Sequence, residues 1–459
     1  MASFYVAAYL LFWVTAVILT VLRRSRMIFL MWPIVLLYPY AWVRSQFPFL
    51  PLGLHDLYVF SCMALLLVDL SKIRRVLDPG VMRLTLVLLL VTMVAHAWGL
   101  MVLLINHPSL GWTLPLINFA ADMRFLPPVF MVAVYVDSIE KARVASRSFV
   151  FAIIVGFSLV VADGYSPVIY DLFNHTAYQS RWQDHMRRAV GGFSGPWEVG
   201  AIAAMSATAG LAMIGRRRLA SQTPVAVLFI LSFLGTTLSL SRTGLVSWVL
   251  GVFGMGVFSP WKSRWRLVLP MVATAVVLLS LRFGQSEWES VSVVDIIETR
   301  FETAFVGGHL AGSAKKRVSI WDQQWDWIST GQYSTSELWL GVGGLEGSVL
   351  NFRASSHSGF FGPFLYYGLP LGLLLQIVLG ILLVKAVQLG TRTHSPGIPL
   401  LVVVMLSTMI SGEFLTSNLS AAVFAFLIAL LARVESFHLE QGAIRSIAVK
   451  GPRPAALPG

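Results

Sequence analysis

Four arginines and one histidine could act together on an anionic substrate. Arg187 and Arg188 precede a glycine-rich turn, Arg242 stands between two apolar runs, Arg317 begins an amphipathic segment, and His357 stands just before another apolar run. A guanidinium holds phosphate bidentately and stays charged, whereas a histidine titrates near neutral pH and can accept a proton from a hydroxyl. This set suits a transfer reaction in which arginines stabilise a departing diphosphate and the histidine activates an acceptor hydroxyl.

Four further residues could support such a site. Asp122 and Arg124 lie in the apolar segment NFAADMRFLPPVF, where ionisable side chains are rare and commonly functional, although these two could also simply pair. Glu198 follows the glycine-rich turn in GGFSGPWEVG. Trp321 belongs to VSIWDQQWDWIST, whose tryptophans could form an interfacial belt or a platform for a sugar ring.

No metal or other cofactor is expected from the sequence. Asp322 and Asp326 stand one helical turn apart, but an isolated pair is weak evidence for a bound ion, and no Asp-x-Asp pattern occurs. The single cysteine, Cys62, lies in an apolar run, so the chain has neither a disulfide framework nor a thiolate metal site.

The composition places these residues in a membrane protein. Of 459 residues, 56% are hydrophobic and only 12% are charged, which is about half the charged fraction of an ordinary soluble domain. Apolar stretches of about 18 residues or more recur from end to end, and in lipid such stretches must form helices. The net charge of +12 does not form a basic stripe interleaved with aromatics, so a nucleic-acid partner is not expected. The predicted fold class is all-α and polytopic.

The apolar runs predict about 12–13 transmembrane helices separated into groups by two long loops. The candidate spans are 3–22, 27–43, 54–71, 81–105, 114–136, 148–163, 197–214, 223–240, 243–259, 266–283, 359–386, 398–415 and 417–432. The predicted regions are N-terminal helices at 1–163, a loop at 164–196, helices at 197–283, a large loop at 284–358, helices at 359–432 and a basic tail at 433–459. The large loop is expected to contain amphipathic helices, one with an apolar face of Val318, Trp321, Trp325 and Ile328. The tail is expected to end in disorder, over RSIAVKGPRPAALPG.

Basic clusters set the expected orientation. They follow alternate spans, so the loops that carry them should be cytoplasmic: RRSR, KIRR, EKARVASR, GRRR and WKSRWR. Both long loops then face outward and the tail lies inside. Arg242 follows the eighth span, which leaves the cytoplasm, so it lies at the outer surface, where the positive-inside bias disfavours an arginine. The alternative is an arginine that merely snorkels to lipid headgroups.

The motifs occur in a distinctive order over about residues 185–385. SRTGLVSWVLG opens a late span, a large outward loop follows with Arg317 and Trp321 and then LGVGGLEG, and His357 enters the next helix. This order resembles the O-antigen ligase and Wzy-type polymerase superfamily. GGFSGPWEVG is similar to an earlier motif of those proteins. The chain departs from their pattern at Trp197, Glu198 and Ser358, where asparagine is more usual.

The resemblance implies a glycosyltransferase of the GT-C type in the bacterial inner membrane. Such enzymes take a glycan from undecaprenyl diphosphate on the periplasmic face and pass it to an acceptor hydroxyl, without a metal or another cofactor. The acceptor is lipid A–core in a ligase of lipopolysaccharide biosynthesis, and another lipid-linked repeat unit in a polymerase, as in exopolysaccharide biosynthesis. The motifs leave these two open. They imply His357 as the base and the four arginines as ligands of the diphosphate.

A transporter or flippase of lipid-linked oligosaccharide is the main alternative, because it too would have many spans and intramembrane charges. It is ranked second because the sequence contains no pair of similar halves, and because a long outward loop is unusual in a rocking transporter. A purely structural or sensory membrane protein is a more distant alternative.

Overall fold

The computed structural model describes a helical chain. Within the part of the chain that it describes, six helices are long and apolar enough to cross a membrane, and five further apolar helices have 10–17 residues. This supports a polytopic helical membrane protein. The described residues are 2–39, 53–69, 80–106, 108–110, 126–165, 189–193, 195–214, 219–260, 282–285, 288–292, 305–306, 309–310, 312–331, 334–342, 359–410 and 418–449, with the shorter pieces 43, 112–113, 116, 119, 172–173, 268, 270–274, 276 and 298.

The helices follow the apolar runs, because an apolar run in lipid satisfies its backbone hydrogen bonds only within itself. In chain order they are α1 (Ala2–Leu22), α2 (Met27–Leu36), α3 (Leu54–Val68), α4 (Gly80–Asn106), α5 (Leu126–Tyr135), α6 (Ile139–Tyr165), α7 (Pro196–Ile214), α8 (Gln222–Leu238), α9 (Arg242–Phe258), α10 (Gly312–Ser329), α11 (Thr335–Leu340), α12 (Gly362–Thr393), α13 (Gly397–Met409) and α14 (Asn418–Val449). Short 3-10 turns lie at Arg24–Arg26 and Pro108–Leu110.

Most predicted spans overlap these helices, and the differences have identifiable reasons. The span predicted at 114–136 is described mainly in its second half, as α5, and the span at 266–283 lies largely outside the described residues. Helix α14 continues past the predicted end at 432 to Val449. It does so because its next turns still pack: Arg433 donates a hydrogen bond to the Val136 carbonyl (3.1 Å), and its guanidinium lies over the Phe437 ring. The segment predicted as a disordered tail therefore begins as helix.

Two short β-hairpins precede the loop helices, and they were not predicted from the sequence. β1 (Arg282–Gln285) pairs antiparallel with β2 (Trp288–Ser292), and β3 (Phe305–Val306) pairs antiparallel with β4 (His309–Leu310). In FVGGHL two glycines separate the paired residues, a composition that favours a two-residue hairpin. The large loop thus contains strands as well as the expected helices.

Helix α7 forms the centre of the bundle. Nearly all of its residues are buried, and it packs against α8, α9, α13 and α14. Its sequence, PWEVGAIAAMSATAGLAMI, is rich in small residues, which let membrane helices approach closely and gain van der Waals contact. Where α7 crosses α9, a Cβ added at Gly200 or Gly244 would overlap the backbone of the other glycine. These two helices are therefore locked together near their first turns.

One end of the bundle gathers helix ends that were predicted to face outward. The Ala189 N–H donates to the Leu238 carbonyl at the end of α8 (3.2 Å), and the Gly359 N–H, ahead of α12, donates to the Met409 carbonyl at the end of α13 (2.8 Å). The first turns of α7 and α9 meet at the same end. We call this end, which also holds Arg242, the outer end, after the predicted topology.

The opposite end gathers helix ends that were predicted to be cytoplasmic. Arg24, after α1, forms an ion pair with Asp69 at the end of α3 (3.3 Å). The Asp69 carboxylate also accepts a hydrogen bond from the Tyr135 hydroxyl at the end of α5 (2.8 Å). Three helix ends that the basic loops assign to one side of the membrane are therefore in contact.

Candidate functional site

The segment that carries Arg242 is a tight reversal between α8 and α9. Ser239 and Leu240 donate their backbone N–H groups to carbonyls of the last turn of α8. Leu240 then adopts φ 56°, a left-handed conformation that costs a non-glycine residue about 1–2 kcal/mol. Ser241 caps α9, because its Oγ accepts the Gly244 N–H (3.2 Å). Arg242 thereby becomes the first residue of α9.

Arg242 is half-buried, and its Nε and Nη1 atoms are shielded from solvent. It stands at a helix N-terminus, where the helix dipole places a partial positive charge. Two sources of positive potential therefore coincide at the outer end. A partly desolvated guanidinium attracts an anion more strongly than a fully hydrated one, because the effective dielectric constant around it is lower.

Glu198 lies next to this reversal, in the first turn of α7. Its side chain is only 1% exposed. It stands two residues before Gly200, which meets Gly244 across the helix crossing. The structure thus brings Glu198 and Arg242 to adjacent first turns of two crossing helices, and the dipole of α7 favours a carboxylate at that position.

The turn that follows Arg187 and Arg188 is held by a residue that the sequence had not singled out. Asp163 lies near the end of α6 and is 1% exposed. Its Oδ2 accepts the backbone N–H groups of Val190 (2.8 Å) and Gly191 (3.0 Å). A carboxylate that accepts two backbone hydrogen bonds fixes the path of a turn, so Asp163 holds the backbone at Val190 and Gly191 in place.

The same turn is attached to two other helices at the outer end. Ala189 is bonded to Leu238, two residues before the strained Leu240, and a Cβ on Gly192 would overlap the Leu36 carbonyl at the end of α2. Residues 189–193 therefore link α2, α6 and α8. The only sequence signal for Asp163 was an acidic residue close to the end of a long apolar run.

The loop helix α10 packs against the entrance of α12. The Trp321 ring lies 6.0 Å from the Phe361 ring, and Ile320 and Gln324 of the same helix are buried. Trp325, which the sequence assigned to the apolar face, is 65% exposed and is outside this packed surface. Such an exposed tryptophan suits the membrane–water interface. Ile328, which the sequence also assigned to the apolar face, is not among the described side chains.

Helix α12 is broken just inside its outer end. Gly368 has φ 81° and ψ 169°, and Pro370 follows, which lacks a backbone N–H donor. Gly341, with φ 85°, packs its backbone directly on Gly368, and the Val342 N–H donates to the Leu365 carbonyl (2.8 Å). The predicted glycine turn LGVGGLEG thus begins as a backbone contact that attaches the loop to α12.

Helix α4 supports this contact from the side. The Trp98 indole N–H donates to the Leu340 carbonyl at the end of α11 (2.8 Å). The buried His96 ring lies 5.4 Å from the Tyr367 ring, tilted by 37°, next to the break at Gly368. The loop is therefore fixed to two helices of the bundle at the level of the break.

Several predicted site residues lie outside the described part of the chain. They are His357, Arg187, Arg188, Asp122 and Arg124. Arg317 lies in α10, one turn before Ile320, but its side chain is not among those that the structure describes. The roles of these six residues stay predictions, as do those of Arg242, Glu198 and Trp321. Among the described residues, no group of three or more His, Cys, Asp and Glu side chains could hold a metal ion.

No protein-family profile matches the chain, and no curated protein matches it in sequence. The resemblance to the ligase and polymerase superfamily therefore rests on the motifs alone. The described outer end brings together the half-buried Arg242 at the N-terminus of α9, the buried Glu198 in the first turn of α7, and a loop helix that packs on the start of α12.

Proposed function

We propose that the chain is a membrane glycosyltransferase that moves a glycan from a polyprenyl diphosphate, such as undecaprenyl diphosphate, to an acceptor hydroxyl on the outer face of the bacterial inner membrane. The observation that carries the proposal is the position of Arg242. A half-buried guanidinium begins α9 at the outer end, where topology disfavours a positive charge and where the helix dipole adds to it. An anionic ligand at the membrane surface would account for both.

A lipid-linked donor fits this position because it is amphiphilic. Its diphosphate would lie against Arg242 at the outer end, while its polyprenyl chain remained in the bilayer. Residues 189–193, held by Asp163, would bring Arg187 and Arg188 to the same end of the bundle. Arg317 on α10 would approach from the loop side. Four arginines around one diphosphate would stabilise it as a leaving group.

The chemistry then requires one base. His357 would accept the proton of the acceptor hydroxyl while that oxygen attacks the anomeric carbon. The bond between the anomeric carbon and the phosphate oxygen breaks, and the polyprenyl diphosphate leaves with the bonding electrons. The arginines compensate the charge that develops on it. The histidine afterwards returns its proton to solvent, so the cycle needs neither a metal nor a redox partner.

The direct test is the turnover of a lipid-linked oligosaccharide by the purified protein in detergent, with lipid A–core or a second lipid-linked unit as acceptor. A new glycosidic bond supports the enzyme, and the acceptor that reacts distinguishes ligase from polymerase. A flippase makes no such bond, but moves the same lipid across proteoliposome membranes. Transport without bond formation would replace this proposal with the flippase.

A further inference from the structure

Gln324 presents a buried amide in a place where an apolar side chain would ordinarily pack. Its side chain is 4% exposed, and it lies on α10 one turn after Ile320, which is buried as well. Among the residues that the structure describes, its Nε2 has no hydrogen-bond partner. Buried polar groups are nearly always hydrogen-bonded, and each exception in a native protein calls for an explanation.

The surroundings of Gln324 differ from those of other unpaired polar atoms. The Trp32 indole packs between the Phe149 and Phe426 rings, and the Ser206 hydroxyl lies within the central helix α7. Both are inside the bundle. Gln324 is in the large loop, on the side of α10 that packs rather than the side that faces solvent.

Contacts around α10 place this packed side over the outer end. Three residues before Gln324, Trp321 packs on Phe361, where α12 begins. The chain just before Phe361 is bonded to the last turn of α13 through Gly359. Helix α13 is joined in turn to α9, the helix that Arg242 begins, by the hydrogen bond between Ser407 and Ser247 (2.7 Å).

We propose that the side-chain amide of Gln324 binds an oxygen of the lipid-linked donor, on its diphosphate or its first sugar. This inference rests on the proposed function. The amide carries two N–H donors and no charge, so it matches the oxygen-rich head of a polyprenyl-diphosphate glycan. The donor satisfies the buried N–H when it enters between α10 and the outer end, and Gln324 acts together with the arginines.

The substitution Gln324→Leu separates this role from a structural one, because leucine fills a similar volume without a polar atom. A buried donor without a partner destabilises a protein, so the variant should have a melting temperature equal to or above that of the wild type. Gln323→Leu is the matched control, because Gln323 is the exposed neighbour of Gln324 on the same helix.

The measurement is the rise in melting temperature of the purified protein as polyprenyl diphosphate is added, with and without its glycan. Gln324→Leu should weaken binding about tenfold or more if the amide contacts a phosphate oxygen, and about two- to tenfold, for the glycan-bearing lipid only, if it contacts the sugar. Gln323→Leu should bind like the wild type.

Two results overturn the inference alone: wild-type affinity for both lipids in Gln324→Leu, or a sharp fall in its melting temperature without ligand, which would make the amide structural. If the wild type shows neither stabilisation by these lipids nor turnover, the proposed function fails, and the inference fails with it.

Discussion

Replacing Arg242 tests the central claim of the mechanism, because the proposed bidentate contact of its guanidinium with a diphosphate sets the size of the expected loss. A hydrogen bond to a charged group contributes about 1.5–3 kcal/mol, and a bidentate guanidinium makes two such bonds to a diphosphate. Arg242→Ala should therefore cost about 3–6 kcal/mol, or about a hundredfold to ten-thousandfold in kcat/KM. Arg242→Lys keeps the charge but can make only a point contact, so it should lose about ten- to a hundredfold.

The fold should tolerate the change. Arg242 is the first residue of α9, and a cation at a helix N-terminus is unfavourable by about 0.3–1 kcal/mol. The cap at Ser241 and the contact between Gly244 and Gly200 do not involve its side chain, so the first turn of α9 should form without it. Arg392→Ala is the matched control: it removes an exposed arginine from the last turn of α12, at the end predicted to be cytoplasmic.

The assay measures kcat/KM for product formation from a fluorescent lipid-linked oligosaccharide by each purified variant in detergent. The variants are used at equal concentration, and their melting temperatures are compared beforehand. Arg242→Ala should lose product while Arg392→Ala keeps it, and Arg242→Lys should fall between them. Wild-type kcat/KM in Arg242→Ala would refute the reasoning, and would mean that the arginine binds only lipid headgroups. An equal loss of product in Arg392→Ala would mean that the assay responds to the overall charge of the protein and not to Arg242 in particular.

Four further outcomes are expected. His357→Ala should lower kcat by about a hundredfold to ten-thousandfold and leave donor binding intact, as measured by lipid-induced thermal stabilisation; near-normal turnover would make the residue structural. In a Cys62→Ala background, an impermeant thiol reagent added to intact cells should label Leu310→Cys and spare Arg216→Cys, and the reverse pattern would invert the topology. Asp163→Ala should raise KM for the donor. Asp163→Asn should restore part of the loss, because its uncharged amide oxygen can take the place of Oδ2 and accept both backbone N–H groups more weakly; identical kinetics of both variants and the wild type would remove its positioning role. Turnover should persist in EDTA, and loss with recovery on adding a divalent ion would transfer the chemistry to a metal.

Much of the helical architecture could be predicted, because the hydropathy of a membrane segment depends only on the residues of that segment. The runs that became α1, α4 and α8 were located to within a few residues, since each must satisfy its own backbone hydrogen bonds. The hairpins at 282–310 were missed, because their strands have only two to five residues, which is too short to show an alternating pattern. The one local signal was the glycine pair in FVGGHL. The extension of α14 to Val449 was missed for a similar reason, since Arg433 and Phe437 pack in a way that composition does not show.

The site shows the same division between local and non-local information. Arg242 was identifiable because the positive-inside bias makes an outward arginine exceptional, which is a property of sequence order alone. Asp163 was not, because its partners Val190 and Gly191 lie 27 and 28 residues away in the chain. Nor could the sequence distinguish the buried Gln324 from the exposed Gln323. The contact of Trp321 with Phe361 determines which face of α10 packs on the bundle.

The opening of α9 explains in physical terms why the motif SRTG takes the form it has. Leu240 adopts a left-handed backbone conformation, which lets the chain reverse direction between α8 and α9 within three residues. The surrounding contacts hold that strained conformation. Ser241 then satisfies the Gly244 N–H, and Gly244 lacks a Cβ so that Gly200 can pack against it. The cap and the glycine contact fix both the direction and the depth of α9, and with them the position of its first side chain. In the proposed mechanism, Ser241 and Gly244 thus determine where the guanidinium of Arg242 would meet the diphosphate.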